Sequence, residues 1–179
     1  MLRQLWGKLY LTDIIRKHSI YMREDMHNGE DLEWNCRYLM HVDTMAVVPG
    51  ITYHYFVNGS QSLSQRFDVK YFMHLQLQYD ALKALLVSRG IWQAWERAVL
   101  CREVKRLLSG YGKIASRECP LTFAEKNTYI SNGMSTPLRF EFIGCIGGQA
   151  LPFAENLLIR CNSPLFAASV ICLLKRKKA

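Results

Sequence analysis

Apolar and polar positions follow two rhythms along this chain, and the change falls near residue 66. Before it, Trp6 to Tyr10, Ile20 to Met22, Thr44 to Val48 and Ile51 to Val57 are short runs of strand-like composition, the last two split by the turn dipeptide Pro49-Gly50. In the last run Ile51, Tyr53, Tyr55 and Val57 share one side and Thr52, His54 and Phe56 the other, both apolar enough for burial. A short helix is expected from Thr12 through Lys17, and a longer one from about Glu30 to His41 with Leu32, Cys36, Leu39 and Met40 on one side. Trp34 and Arg37 fall away from that stripe.

From Phe67 onward the period becomes helical. Helices are predicted over about 67–88, ended by Arg89-Gly90, and about 91–109, ended by Gly110-Tyr111-Gly112. Thr122-Phe123-Ala124-Glu125 is a capping box that opens a third, to about Ser131, stopped by Asn132-Gly133. Pro152 to Cys161 and Leu165 to Leu174 supply two more. The pattern divides the chain at residues 1–66 and 67–179.

Composition adds limits. With 179 residues, 50% hydrophobic and 21% charged, the chain can bury a core and is not disordered. No apolar run reaches 18 residues, and the N-terminal segment lacks a basic-then-apolar order, so neither a spanning helix nor a signal peptide is expected. Six cysteines at 36, 101, 119, 145, 161 and 172 form no Cys-x-x-Cys pair and read as buried small hydrophobes in a reducing cytoplasm.

Charge is uneven: residues 1–60 carry a net −1, 61–118 a net +5 and 119–179 a net +4. The basic remainder points to an anionic surface. The 91–109 helix sets Leu100, Val104, Leu107, Leu108 and Tyr111 on one stripe and Arg102, Arg106 and Lys113 near another. It can pack that stripe on the protein or lie on a bilayer. The same choice holds for Leu165 to Leu174, followed by Lys175-Arg176-Lys177-Lys178: a last helix with a solvated tail, or an interfacial anchor at the inner face of a membrane. Nucleic acid is disfavoured, since no known module is present and arginines do not interleave with aromatics on one face.

The densest acidic cluster, Arg23-Glu24-Asp25-Met26-His27-Asn28-Gly29-Glu30-Asp31-Leu32-Glu33-Trp34, stands at the start of the second predicted helix. One reading is structural: Asn28, Glu30 and Asp31 cap the helix and complement its dipole. The other is chemical, because a carboxylate held ionised at a cleft mouth can take a proton from a hydroxyl. His27 and His54 are weak candidates for a metal or phosphate.

The order Trp6-Gly7-Lys8-Leu9-Tyr10, Glu30-Asp31, Tyr53-His54-Tyr55 and Ser62-Leu63-Ser64 resembles the acceptor-binding half of family-2 glycosyltransferases of the GT-A fold, over about residues 4 to 66. The resemblance implies an α/β fold for residues 1–66, the C-terminal half of a GT-A domain, followed by a mainly helical region. It implies transfer of a sugar from a nucleotide-sugar to a carbohydrate or lipid-linked acceptor, in a setting of polysaccharide biosynthesis. Asp31 becomes the catalytic base, with Glu30 its neighbour. Trp6 and Lys8 border the acceptor and donor, and Ser62 and Ser64 approach the donor phosphates; Trp34, by its place off the apolar stripe, can border an acceptor sugar or pack inside. A divalent cation, Mg or Mn, is implied too. The six aspartates form no Asp-x-Asp motif, and Asp31-Leu32-Glu33 has the spacing but a helical setting that points its carboxylates apart. The chain is therefore expected to lack the donor-binding half and most metal ligands. It should be inactive or nearly so alone, and prone to self-association through an exposed sheet edge. A partner subunit for a separate nucleotide-binding half, or a non-catalytic basic module for anionic lipid or nucleic acid, are the alternatives.

Overall fold

The computed structural model describes residues 3–54, 67–116, 119–146 and 151–176, the side chains of 172–176 excepted. Among them are eight helices and no strand: α1 (Thr12–Lys17), α2 (Glu30–Leu39), α3 (Tyr71–Ser88), α4 (Trp92–Lys113), α5 (Phe123–Met134), α6 (Pro137–Cys145), α7 (Phe153–Arg160) and α8 (Pro164–Arg176). The expected α/β fold, half of a GT-A domain over residues 1–66, is thereby corrected to an all-helical one. A strand is stable only when a neighbour takes its N–H and C=O groups. None is at hand among the described residues, and residues 44–54 run as irregular chain, with Met45, Val47, Val48 and Ile51 between 68% and 81% exposed. Tyr55 to Val57 lie outside the described residues, as do Ser62 and Ser64. The sheet edge expected to drive self-association is likewise absent from the described residues.

Two compact units emerge, Met1–Arg66 with Leu77–Gln93, and Phe67–Gln76 with Ala94–Ala179. In the first, Ile20, Trp34 and Tyr38 are buried together, with Leu5, Tyr10, Ile14, Ile15, Leu39 and Val42 packed around them. Tyr10 meets both rings edge-on, with centroids 4.8 Å from Trp34 and 5.0 Å from Tyr38, a favoured aromatic arrangement. The residue that opens α2 is Gly29, not Asn28. Its φ of +81° suits glycine, and a Cβ there would stand 2.0 Å from Cδ of Gln78. Gln78 in turn donates from Nε2 to the Asn28 carbonyl at 2.9 Å.

In the second unit, α4 buries Val99, Leu100, Val104, Leu107 and Tyr111, which settles its apolar stripe as packing. Glu103, 1% exposed, draws Arg102 Nε to 2.7 Å and Arg106 Nη1 to 2.5 Å, so part of the basic stripe is neutralised within the protein. Two helices overrun their predicted glycine stops. Gly110 lies inside α4 and Gly133 inside α5, where a Cβ would approach Tyr71 Cε1 to 2.5 Å and Tyr111 Cε1 to 2.4 Å. These glycines admit rings rather than end helices. The capping box opens α5 as expected, with Thr122 N–H donating to Glu125 Oε2 at 2.7 Å. Buried Arg139 of α6 donates to the carbonyls of Met134 (2.8 Å), Ile159 (2.6 Å) and Cys161 (2.9 Å), and to Asn162 Oδ1 (2.7 Å). A cation thus sits at the carbonyl ends of α5 and α7, where helix dipoles are negative.

Candidate functional site

Asp31 lies in the first turn of α2, half-buried, and its partner is not its own helix. Its Oδ2 accepts from the Leu5 N–H at 3.3 Å. One turn on, Asn35 donates from Nδ2 to the Gln4 carbonyl at 3.2 Å and accepts from the Tyr10 hydroxyl at 2.8 Å. One turn further, the Tyr38 hydroxyl accepts from the Leu11 N–H at 2.8 Å. Positions 31, 35 and 38 share one helix face, and residues 4–11 are laced along it as a strap. Lys8 donates to the Gln4 carbonyl within that strap, and Gly7, at φ +70°, supplies its left-handed turn.

The electrostatics converge on the same carboxylate. Burial pushes the Lys8 ammonium down from its ordinary value, and the Asp31 charge opposes that. Burial pushes the Tyr10 phenol up, Asp31 adds to it, and the Asn35 hydrogen bond works the other way. Glu30 is half-buried, and its enclosed Oε2 has no hydrogen-bond partner among the described residues. Trp6 stacks on Tyr53 with centroids 4.9 Å apart and planes 19° apart, the two rings 40% and 47% exposed.

Of the residues singled out in the sequence, Lys8 and Asp31 feel each other's charge, while Trp6 and Glu30 adjoin the Leu5–Asp31 hydrogen bond in the chain only. Trp34 is packed inside instead, its indole N–H donating to the Ile20 carbonyl at 3.1 Å. Ser62 and Ser64 lie outside the described residues. His27 and His54 are exposed, and Asp25, beside His27 in sequence, chelates Arg23 at 3.0 and 2.8 Å. Among the described residues no three His, Cys, Asp or Glu side chains converge on one point. Asp31 Oδ2 itself is turned toward the Leu5 N–H, which is not how a divalent cation is held. The described residues therefore do not fit the implied Mg or Mn.

Sequence reading missed Asn35, Tyr38 and Tyr53 as parts of the site. The first two were detectable, since polar groups four and seven residues after Asp31 must share its helix face. The Leu5 N–H carries no side-chain signal. No protein-family profile, curated protein or solved structure matches the chain.

Proposed function

We propose that this chain supplies the acceptor side of a glycosyltransferase, which moves a sugar from a nucleotide-sugar to an acceptor hydroxyl with Asp31 as general base. The observation that carries the reading is the setting of Asp31: a half-buried carboxylate that holds the Leu5 N–H and feels the charge of Lys8, with Trp6, next to Leu5 in the chain, stacked on Tyr53. One hydrogen bond leaves a carboxylate with capacity to accept a proton. The acceptor O–H proton passes to Asp31 as that oxygen bonds to the anomeric carbon and the carbon–phosphate oxygen bond breaks, releasing the nucleoside diphosphate. A single in-line displacement inverts the anomeric centre. Trp6 and Tyr53 offer flat apolar rings to a sugar face, and the Lys8 charge complements the departing phosphate. A nucleotide-binding part supplies the donor, and the exposed apolar residues 45–51 are suited to meet it.

The test measures sugar transfer from a panel of nucleoside diphosphate sugars to carbohydrate and lipid-linked acceptors, by the chain together with a donor-binding polypeptide. Asp31→Asn is expected to lower transfer by at least about 10²-fold with donor binding kept. Equal transfer by both proteins would leave Asp31 only as the anchor of Leu5. Absence of oligosaccharide binding to the chain by saturation-transfer NMR would remove the acceptor role.

A further inference from the structure

Two histidines of the first unit lie face to face. His18, the residue after α1, and His41, just past α2, stack with ring centroids 3.6 Å apart and planes 9° apart. Parallel rings keep their nitrogens in separate planes, and among the described residues no third His, Cys, Asp or Glu converges with them, so the pair does not fit a metal. Both rings are otherwise open to solvent and meet the proton concentration of the surrounding water.

The stack fastens a helix that cannot stand alone. α1 has six residues, none of them buried, and an isolated helix of that length does not hold itself in water. It leans on the core through Ile14 and Ile15, while Leu39 and Val42, which flank His41 in the chain, reach the same core. Its end turns through Ser19, whose φ of +50° is a left-handed conformation that a side chain disfavours. The His18 N–H donates to the Ile14 carbonyl at 3.1 Å and the Ile20 N–H to that of Ile15 at 3.0 Å.

Charge makes this tie depend on protons. Neutral imidazoles stack, whereas two imidazoliums so close repel. Desolvation of the covered ring face, then the charges of His41 and Lys17, push the His18 pKa below its ordinary value. Both of those charges have the sign of its own. Of the other charged groups on the elements that meet here, α1 also carries Asp13 and Arg16, and Asp43 follows His41 by two residues. Arg37 of α2 is held by Glu33 at 2.8 Å, and Arg89, after α3, donates to the Leu39 and Val42 carbonyls.

We propose that the His18–His41 stack is an acid-released clasp: protonation of both rings frees α1 from the end of α2 and opens Ile14 and Ile15 to water. Folding prefers His18 neutral, so its contribution is fully present above the ordinary histidine pKa of about 6.5 and is lost as pH falls from there through the depressed value. The inference does not depend on the glycosyl-transfer reading.

Histidine titration and amide exchange of the full chain by NMR, between about pH 8 and about pH 5, test it. Protection of the His18 and Ile20 amides, referred to intrinsic exchange at each pH, is expected to fall roughly 5-fold, while amides inside α4 and α5 keep theirs. His41→Phe keeps a ring on His18 without the second charge, so His18 should titrate higher than in the parent and most of the pH dependence should vanish. His41→Gln, with neither ring nor charge, should show at the upper pH the low protection that the parent shows at the lower. Protection that ignores pH, a His18 that titrates alike in the parent and in His41→Phe, or unchanged protection in His41→Gln would overturn the proposal. So would an equal fall in α4 and α5, which would mark general acid unfolding rather than release of α1.

Discussion

Both compact units enclose a core and leave some apolar residues in water, but on different kinds of backbone: Phe123, Phe140 and Phe153 stand on helices, Met45, Val47 and Val48 on irregular chain. In the unit built on α4 to α8, Leu100, Val104, Leu107, Tyr111, Ile130 and Leu138 are all fully enclosed. In the unit built on α1 and α2, a small aromatic core is sealed by a strap, while Leu9, Leu11, Met45, Val47, Val48 and Ile51 stay largely in water. The difference lies in where each sequence finds its partners. A helix satisfies its own backbone and needs only a surface to pack on, whereas an extended apolar segment needs another strand.

That contrast can be broken most severely at Arg139. Arg139→Ala leaves the carbonyls of Met134, Ile159 and Cys161 without their donor, and the second unit is expected to lose on the order of 3–5 kcal/mol, measured by urea unfolding. Leu107→Ala, at a residue with no exposed surface, should cost about 2–5 kcal/mol. In the first unit the comparable weak point is Gly29. An added methyl group must displace Gln78 and tolerate a positive φ, so Gly29→Ala is expected to cost about 2 kcal/mol and to expose the Asn28 carbonyl.

Smaller effects sharpen the same comparison. Thr122→Ala removes the α5 cap at a cost of about 1 kcal/mol. Hydrogen bonds from the Thr122 hydroxyl and N–H hold the Glu125 carboxyl below its usual range. The resulting stabilisation is present above the ordinary carboxylate pKa and is lost as pH falls through the depressed one. Acid titration of unfolding should therefore show less loss in T122A than in the parent. The Tyr111 and Tyr129 hydroxyls are buried without hydrogen-bond partners among the described residues, and burial pushes both phenols up. Tyr111→Phe should be neutral or slightly stabilising, by less than about 1 kcal/mol. Smallest of all, Val47→Ser and Ile51→Ser should shift unfolding by under about 0.5 kcal/mol while reducing concentration-dependent association by light scattering. A large destabilisation there would mean that the exposed segment supports the unit after all.

The helical unit was largely legible in the sequence because its signals are local. Thr122 and Glu125 cap α5 as their spacing required, and Pro152 and the Leu165 run marked α7 and α8 closely. Gly110 and Gly133 misled as stops because their role is set by Tyr71 and Tyr111, which are distant in sequence. α6 went unread although Thr136-Pro137 is a helix-opening pair, proline at the first position losing no bond. The strand expectation failed because alternation at Ile51, Tyr53 and the residues between them says how side chains divide, not whether a neighbour is present. At the candidate site, Asp31, Lys8 and Trp6 were found as residue types in an order. What binds them, the N–H of Leu5 and the ring of Tyr53, depends on how the strap folds back.

Arg139 also sets a clock on synthesis. Its most distant acceptor, Asn162, lies 23 residues downstream, so a chain made at about 5–20 residues per second carries the guanidinium for roughly 1–5 s before its last acceptor exists. Until then α5 and α6 can be translated but not tied through Arg139 to the end of α7. The second unit is thus expected to close late on the ribosome, after the end of α7 has reached Arg139 and α8, with buried Ala167 and Ile171, has followed it.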